Sequence, residues 1–297
     1  MKHQFLYHAV AFLVVAIWGS TFVFTKLLLL AGLTAAQIFA LRFIIAYGLL
    51  LVFCLFKGIR WTADTWRDEL LMAALGVSGG SLYFLTENSS MNYTTTTNTS
   101  IIVSLCPLFA SLLIGMFYKS ERLSRMQTFG TLLAATGVVI VVMNGHFVLH
   151  LSPIGDVLAF AACLCWAVYS LLMIPASKKY DTVFITRKVF FYGLLSMIPY
   201  FLLQPGLNLH LLVQQPQLVW NLLFLGCVAS MLCFLAWNWV LKKLGAVVAT
   251  NYVYLNPVTT IIFAWVILHE EITVFFVIGT FLILLGMYLA DRRKATP

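Results

Sequence analysis

Ten apolar stretches, most of them about 20 residues long, follow one another along the chain with short polar connections. A helix needs about 20 residues to cross the ~30 Å hydrocarbon layer of a membrane, and these stretches lack the alternation of membrane β-strands. Only 9% of the residues are charged, against about 25% in soluble domains. The sequence therefore predicts an all-α integral membrane protein with ten transmembrane helices. We number them as spans one to ten: 9–30, 35–56, 69–88, 95–118, 124–144, 153–175, 182–204, 217–238, 246–268 and 271–290.

The positions of Lys and Arg predict how the spans are oriented. With the N-terminus in the cytoplasm, basic residues gather in the cytoplasmic segments, such as 57–67, 119–125 and 292–294, and the outer loops contain none. This is the positive-inside pattern of membrane proteins. The net charge of +8 then indicates contact with anionic lipid rather than nucleic acid. We expect a multi-pass protein of the cell (inner) membrane with both termini in the cytoplasm.

The second half of the chain repeats the first. Segment 105–137 matches 255–286, and segment 39–50 matches 184–195. The halves, 1–147 and 148–297, each hold five spans, and because five is odd the second half crosses the membrane in the opposite direction. Inverted repeats are typical of transporters that bind substrate near the membrane midplane. The aligned pairs are Trp18 with Trp166, Arg42 with Arg187, Pro107 with Pro257, Gly130 with Gly279 and Gly137 with Gly286.

Several segments resemble one known family, the EamA-like family of the drug/metabolite transporter superfamily. They are "AIWGSTFVFTKLLL", "ALRFIIA", "ENSSMNYTTTTNTSIIVSLCPLFASLL", "LGAVVATNYVYLNPVTTIIFAWVILHEEIT" and "GTFLILLGMYLA". The resemblance covers essentially the whole chain. It implies two inverted five-helix EamA-like repeats, cytoplasmic termini, and export of small metabolites such as amino acids by alternating access. One departure is Asn256, which stands before Pro257 where the family usually has "EPV".

Charged side chains within the spans are candidates for function, because each is costly inside a membrane. Lys26, Arg42 and Glu87 fall in the outer third of spans one to three, and Arg187 lies at the mirror depth on the inner side. One hypothesis is that Glu87 couples transport to protons, or that Arg42 and Arg187 orient an anionic or zwitterionic substrate. The alternatives are that Glu87 only neutralises Arg42 or Lys26, and that the two arginines anchor their helices by reaching lipid headgroups.

Aromatic and amide side chains within the spans are candidates for lining a substrate cavity. Trp18 and Trp166 are repeat-related and lie near mid-span, whereas tryptophan usually gathers at membrane interfaces. They either line a cavity or pack between helices. The other cavity candidates are Tyr83, Asn98, Tyr169, Trp237, Asn238, Asn251 and Tyr252.

Two prolines occupy matching positions in the halves. Pro107 in span four and Pro257 in span nine each remove a backbone hydrogen bond and can kink a helix. The kinks would serve either as hinges of a gate or as fixed curvature.

The sequence contains no Walker loop, no metal-ligand cluster and no nucleophile beside a base. It therefore predicts neither an enzyme nor a bound metal or cofactor. The favoured function is a secondary exporter of small metabolites that works through a central cavity between the repeats. The alternatives are a carrier of phosphate-bearing metabolites or nucleotide sugars and a passive channel. We expect a small-molecule substrate, a lipid bilayer and no nucleic acid as partners, and a monomer or a homodimer.

Overall fold

The structure is a computed structural model that describes residues 2–94, 96–119, 122–143, 152–203, 206, 209–268 and 274–291. Within these ranges every regular element is a helix and no strand occurs. Helices of the described residues occupy all ten predicted spans, which is consistent with the predicted count and confirms an all-α membrane architecture. Among the described residues, five helices are each long and apolar enough to cross a membrane: Phe5–Leu30, Ala35–Phe56, Trp66–Tyr93, Pro153–Lys179 and Pro216–Leu244.

The remaining spans are shorter or interrupted. The helices are α1 (Lys2–Leu30), α2 (Ala35–Phe56), α3 (Trp66–Gly76), α4 (Tyr83–Tyr93), α5 (Thr96–Val103), α6 (Cys106–Phe117), α7 (Arg125–Met143), α8 (Pro153–Lys179), α9 (Thr182–Leu195), α10 (Ile198–Leu203), α11 (Leu209–Gln214), α12 (Pro216–Leu223), α13 (Cys233–Leu244), α14 (Ala246–Asn251), α15 (Asn256–Leu268) and α16 (Val274–Asp291). Two π-helical stretches, Val77–Leu82 and Phe224–Leu232, join α3 to α4 and α12 to α13. Spans three and eight are thus continuous, and both carry the same irregularity.

Spans four and nine are both interrupted just before their repeat-related prolines. Helix α5 ends at Val103 and α6 begins at Cys106, with Pro107 in its first turn. A 3₁₀ turn, Tyr252–Leu255, separates α14 from α15, and Pro257 lies in the first turn of α15. Proline lacks an N–H group, so it fits the first turn of a helix, where that group has no partner. The prolines therefore begin new helices instead of kinking continuous ones.

Helices α7 and α16, which are spans five and ten, cross at four glycines that contact each other in two pairs, one glycine of each pair on each helix. A methyl group on Gly130 would lie 2.6 Å from the carbonyl oxygen of Gly286, and one on Gly137 would lie 2.7 Å from that of Gly279. Gly130 is repeat-related to Gly279, and Gly137 is repeat-related to Gly286. The contact between Gly130 and Gly286 therefore corresponds, after the repeats are exchanged, to the contact between Gly279 and Gly137. This is the relation expected around a two-fold axis between inverted repeats.

This crossing gives a prediction about stability. Gly137→Ala is expected to destabilise the protein by about 1–3 kcal/mol, because the new methyl group would overlap backbone atoms of α16. Gly48→Ala is the matched control, since Gly48 also lies within a long helix but has nothing within 4 Å of the added methyl group. That control should unfold at the same or a higher temperature, because Ala favours helix more than Gly. Thermal unfolding of both variants in detergent measures this; equal midpoints would contradict the tight crossing.

Candidate functional site

A small cavity lies in the middle of the helix bundle and is lined by both repeats. Its volume is about 30 Å³, which is room for one or two water molecules. The lining comes from α1, α2, α8, the junctions of spans three and eight, and the two interruptions before the prolines. The lining residues are Trp18, Thr21, Phe22, Arg42, Tyr83, Phe84, Glu87, Val103, Cys106, Trp166, Phe234, Val253 and Asn256.

The cavity contains one basic and one acidic side chain. Arg42 is 2% exposed; its Nε donates to Oγ of Ser230 at 2.9 Å, and its guanidinium carbon lies 4.3 Å from the ring centre of Phe84. Glu87 is 8% exposed and its Oε1 accepts a hydrogen bond from the Tyr83 hydroxyl at 2.6 Å. No ion pair within 4 Å joins Arg42 to Glu87 among the described side chains. The cavity thus holds a guanidinium and a carboxyl group that do not form an ion pair with each other.

Lys26, the other basic candidate near Glu87, has a different partner. Its Nζ donates to the carbonyl oxygen of Met91 at 2.7 Å. The ion pairs found among the described residues do not include Lys26 either. Glu87 is therefore hydrogen-bonded to a neutral phenol rather than paired with a cation.

Trp18 and Trp166 meet at the cavity. Their ring centres are 5.4 Å apart in an edge-to-face arrangement, and Phe234 lies 5.8 Å from Trp18. Nε1 of Trp18 donates to the carbonyl oxygen of Ala229 at 2.9 Å, whereas Nε1 of Trp166 is buried without a partner among the described atoms. The repeat-related tryptophans form an aromatic wall beside the two charged groups.

Three predicted cavity residues form a layer beside this wall. The Tyr169 hydroxyl donates to Oδ1 of Asn238 at 2.5 Å, and Nδ2 of Asn238 donates to Oγ1 of Thr186 at 2.9 Å. Trp237 is fully buried beside Asn238. The layer, defined by Tyr169, Trp237 and Asn238, ties α8 and α13 to α9, because Thr186 lies on α9.

The remaining predicted site residues lie elsewhere. Asn251 is buried at the end of α14, and neither of its amide atoms has a partner among the described residues. The Tyr252 hydroxyl lies 2.6 Å from Nδ1 of His8 on α1. The side chain of Asn98 lies outside the described residues. Pro107 and Pro257 begin the helices next to the cavity, and their role as hinges stays a prediction.

Arg187 is not brought to the cavity. Its guanidinium donates to the carbonyl oxygens of Ile59 and Trp61, each at 3.3 Å, and of Arg60. Its neighbour Lys188 forms an ion pair with Glu69. The two repeat-related arginines therefore differ: Arg42 faces the cavity, and Arg187 anchors the loop between α2 and α3.

Sequence reasoning missed several lining residues, although the repeat carries a signal for them; Asn256 is not one of these, since it stands out in the sequence as the departure from the family's "EPV". Three pairs of lining residues have the same separation in the sequence as Pro107 and Pro257: Phe84 and Phe234, Val103 and Val253, and Cys106 and Asn256. All six line the cavity, so the lining is itself repeated. Thr21 and Phe22 follow Trp18 by three and four residues, the spacing of one helix face.

Metal chemistry finds no support in the described part of the chain. Within those residues, no group of three or more His, Cys, Asp or Glu side chains could hold a metal ion.

Known proteins resemble the chain over nearly its full length. The EamA-like transporter family matches residues 6–143 and 153–290. An "Uncharacterized transporter" of Archaeoglobus fulgidus is 31% identical and covers 97% of this chain and 98% of its own. A "Probable terminal-alkyne amino-acid exporter" of Streptantibioticus cattleyicolor is 24% identical over 76% of this chain and 74% of its own.

A solved structure, titled "Crystal structure of protein", has the same fold. It superposes with a TM-score of 0.72 and 19% identity, and 96% of each chain is covered. Together with the two family matches, one in each half, this likeness confirms the repeated all-helical architecture. The chain belongs to the EamA-like transporter family and is a multi-pass membrane transporter rather than an enzyme.

Proposed function

We propose that the protein is a secondary exporter of amino acids, and that it binds them as zwitterions in the central cavity between the repeats. The observation that carries this proposal is the pair of buried, opposite and separate charges, Arg42 and Glu87, in one aromatic cavity. An α-amino acid zwitterion carries the two complementary charges on groups attached to the same carbon atom.

The chemistry of the lining supports this substrate. The planar guanidinium of Arg42 can hold a carboxylate through two parallel hydrogen bonds, and no partner for its two terminal nitrogens is found among the described residues. Glu87 can accept a hydrogen bond from an ammonium group. Trp18, Trp166 and Phe234 can pack against an apolar or aromatic side chain. Binding of a zwitterion would then give each buried charge a partner, which offsets the cost of desolvation.

The small volume supports a mechanism by alternating access. A cavity of about 30 Å³ cannot contain an amino acid, so the helices must separate to admit one. The interruptions of spans four and nine lie beside the cavity in both repeats, and discontinuous helices of this kind form the moving binding sites of other transporters. Alternate opening of the two sides would then carry the substrate outward.

The alternative of a phosphate-bearing substrate has less support from the lining. A phosphate group would need several basic side chains, and the cavity offers one arginine together with a carboxylate. The layer of Tyr169, Trp237 and Asn238 is buried next to the cavity, which favours a carrier over a passive channel with a continuous open path. The relative whose printed name describes an amino-acid exporter also favours an amino-acid substrate.

We also propose in which membrane the protein lies, how its helices are oriented, and where its two repeats meet. The basic ends of α8 and α13, at Lys178, Lys179, Lys242 and Lys243, support cytoplasmic placement of these helix ends and of both termini in the cell (inner) membrane. The proposed boundary between the repeats, 147/148, lies outside the described residues. A monomer or a homodimer remains our expectation.

An export screen tests the proposed function. Bacterial cells that overproduce the protein are supplied with dipeptides of single amino acids, and tolerance and excreted amino acid are measured. We expect excretion to rise for amino acids with apolar or aromatic side chains, and not in cells that produce Arg42→Gln at the same level. Equal excretion by both kinds of cell for every amino acid would contradict the proposal.

The aromatic wall gives a further prediction. Replacing both Trp18 and Trp166 with alanine is expected to raise KM for an aromatic amino acid about 30-fold, because two ring contacts of about 1 kcal/mol each beyond their buried area amount to about 2 kcal/mol. Trp220→Ala is the matched control, because Trp220 on α12 is 70% exposed. Uptake into proteoliposomes measures both. If the double variant transports aromatic amino acids with an unchanged KM at normal expression, the tryptophans only pack.

A further inference from the structure

A second, larger cavity lies at the cytoplasmic ends of the helices, as the basic residues orient them. Its volume is about 380 Å³, more than ten times that of the central cavity. We call it the vestibule. It is lined by Tyr118, Met173, Ile174, Ser177, Lys178, Leu241, Lys242, Gly245, Ala246 and Val247.

The vestibule lies on the same helix faces as the central cavity. On α8, Trp166 lines the central cavity and Met173 the vestibule; on α13, Phe234 lines the central cavity and Leu241 the vestibule. Both steps are seven residues, which is close to two helical turns, or about 10 Å along the axis. Tyr169 and Asn238, which hydrogen-bond to each other, lie between the two cavities on these helices. The vestibule therefore leads towards the central cavity and is separated from it by one layer of side chains.

The charges of the vestibule differ from those of the central cavity. Among its described lining residues, two are lysines and none is acidic. Lys242 is held in place, since its Nζ lies 3.3 Å from the carbonyl oxygen of Tyr180. Met173, Leu241 and Val247 are buried and give the vestibule an apolar floor.

The adjacent lysines provide a comparison. Lysines at the C-terminal ends of helices are favourable in any case, because they complement the helix dipole. Lys179 forms ion pairs with Asp68 and Asp64, and Lys243 is exposed, as Lys178 and Lys242 also are. Neither lines the vestibule. Lys178 and Lys242 thus differ from their neighbours in facing an open space large enough for a small molecule.

We propose that the vestibule is an entry site for small molecules that carry a carboxylate, with Lys178 and Lys242 contacting the carboxylate and the apolar floor contacting the side chain. A cleft lined by charges of one sign concentrates ligands of the opposite sign. The identity of the carboxylate as that of an exported amino acid rests on the proposed function. The substrate would pass from this site, through the layer at Tyr169, to the cavity where Glu87 adds recognition of the ammonium group.

A chemical probe tests the site independently of transport. In the purified full-length Ser177→Cys protein, the rate of modification is measured with an anionic and a cationic methanethiosulfonate, after subtraction of the rate for the unsubstituted protein. We expect the anionic-to-cationic ratio to fall about fivefold when Lys178→Gln and Lys242→Gln are added. The matched pair, Lys179→Gln and Lys243→Gln, removes the same charge and should leave the ratio within about twofold. An equal fall in both pairs would overturn the proposal.

A competition experiment distinguishes a soluble carboxylate from a lipid headgroup as the anionic group that binds in the vestibule. Soluble 3-phenylpropionate is expected to slow modification of the Ser177→Cys thiol, and Lys178→Gln with Lys242→Gln is expected to remove this protection. Protection by phosphatidylglycerol in the micelle, without protection by 3-phenylpropionate, would identify a lipid site and overturn the entry role.

A transport assay tests the part of this inference that depends on the proposed function. With substrate supplied at the cytoplasmic face, Lys178→Gln with Lys242→Gln should raise KM about fivefold at an unchanged maximal rate, and KM from the outer face should stay unchanged. An unchanged cytoplasmic KM would overturn the entry role while the proposed function stands. If no amino acid is transported but the charge preference at position 177 holds, the proposed function fails and the anion site remains.

Discussion

Arg42→Gln is expected to lower kcat/KM for amino-acid transport at least about 30-fold, because removing one partner of a buried charge contact costs about 2–5 kcal/mol and each 1.4 kcal/mol is about tenfold. The loss has two physical sources. The carboxylate of the substrate loses the arginine among the described lining residues, and Glu87 is left without a positively charged side chain in that lining. We expect the variant to fold, since a glutamine amide can still hydrogen-bond to Ser230.

Two further variants make the Arg42 result specific. Arg60→Gln also removes an arginine, but the side chain of Arg60 is 47% exposed in its ion pair with Asp64, so transport should stay within about twofold. Arg42→Lys keeps the charge but loses the planar fork, so it should recover only part of the rate. Counterflow in proteoliposomes measures all three. Transport by Arg42→Gln at the rate of the unsubstituted protein would show that Arg42 has only a structural role.

Glu87→Gln is expected to abolish the dependence of transport on a proton gradient. Gln cannot bind and release a proton, so export could no longer be exchanged for proton entry, and the substrate's ammonium group would lose its counter-charge. Tyr83→Phe is the matched control, because it removes the hydroxyl that donates to Glu87 but keeps the carboxylate. It should retain gradient dependence. Uptake with and without an imposed pH gradient measures both, and unchanged gradient dependence in Glu87→Gln would rule out the coupling role.

The sequence was sufficient to predict the membrane architecture, because that depends on features local to each span. The length of an apolar stretch reports a membrane crossing, and the scarcity of charges inside the spans made Arg42 and Glu87 candidates. The internal repeat added a further prediction, because it paired Trp18 with Trp166 as equivalent positions of the two halves. The two side chains are in contact at the cavity.

Other features could not be predicted because they depend on contacts between distant segments. Arg42 and Arg187 are the same residue at matching positions, yet Arg187 is bound by the carbonyl oxygens of the loop at residues 59–61. The hydropathy pattern does not reveal the helix breaks at residues 104–105 and 252–255, since each lies within a mainly apolar segment. Predicting the layer of Tyr169, Trp237 and Asn238 would require knowing that Asn238, 69 residues from Tyr169 in the sequence, is its hydrogen-bond partner.

The most direct test of zwitterion recognition is counterflow with three ligands that share one ring. Proteoliposomes containing the full chain are loaded with unlabelled phenylalanine, phenethylamine or 3-phenylpropionate, and uptake of labelled phenylalanine is followed. Because the cavity presents Arg42 and Glu87 together, we predict that only internal phenylalanine drives uptake above the level of empty vesicles. Equal uptake driven by the amine or by the carboxylate alone would contradict recognition of the zwitterion by these two charges.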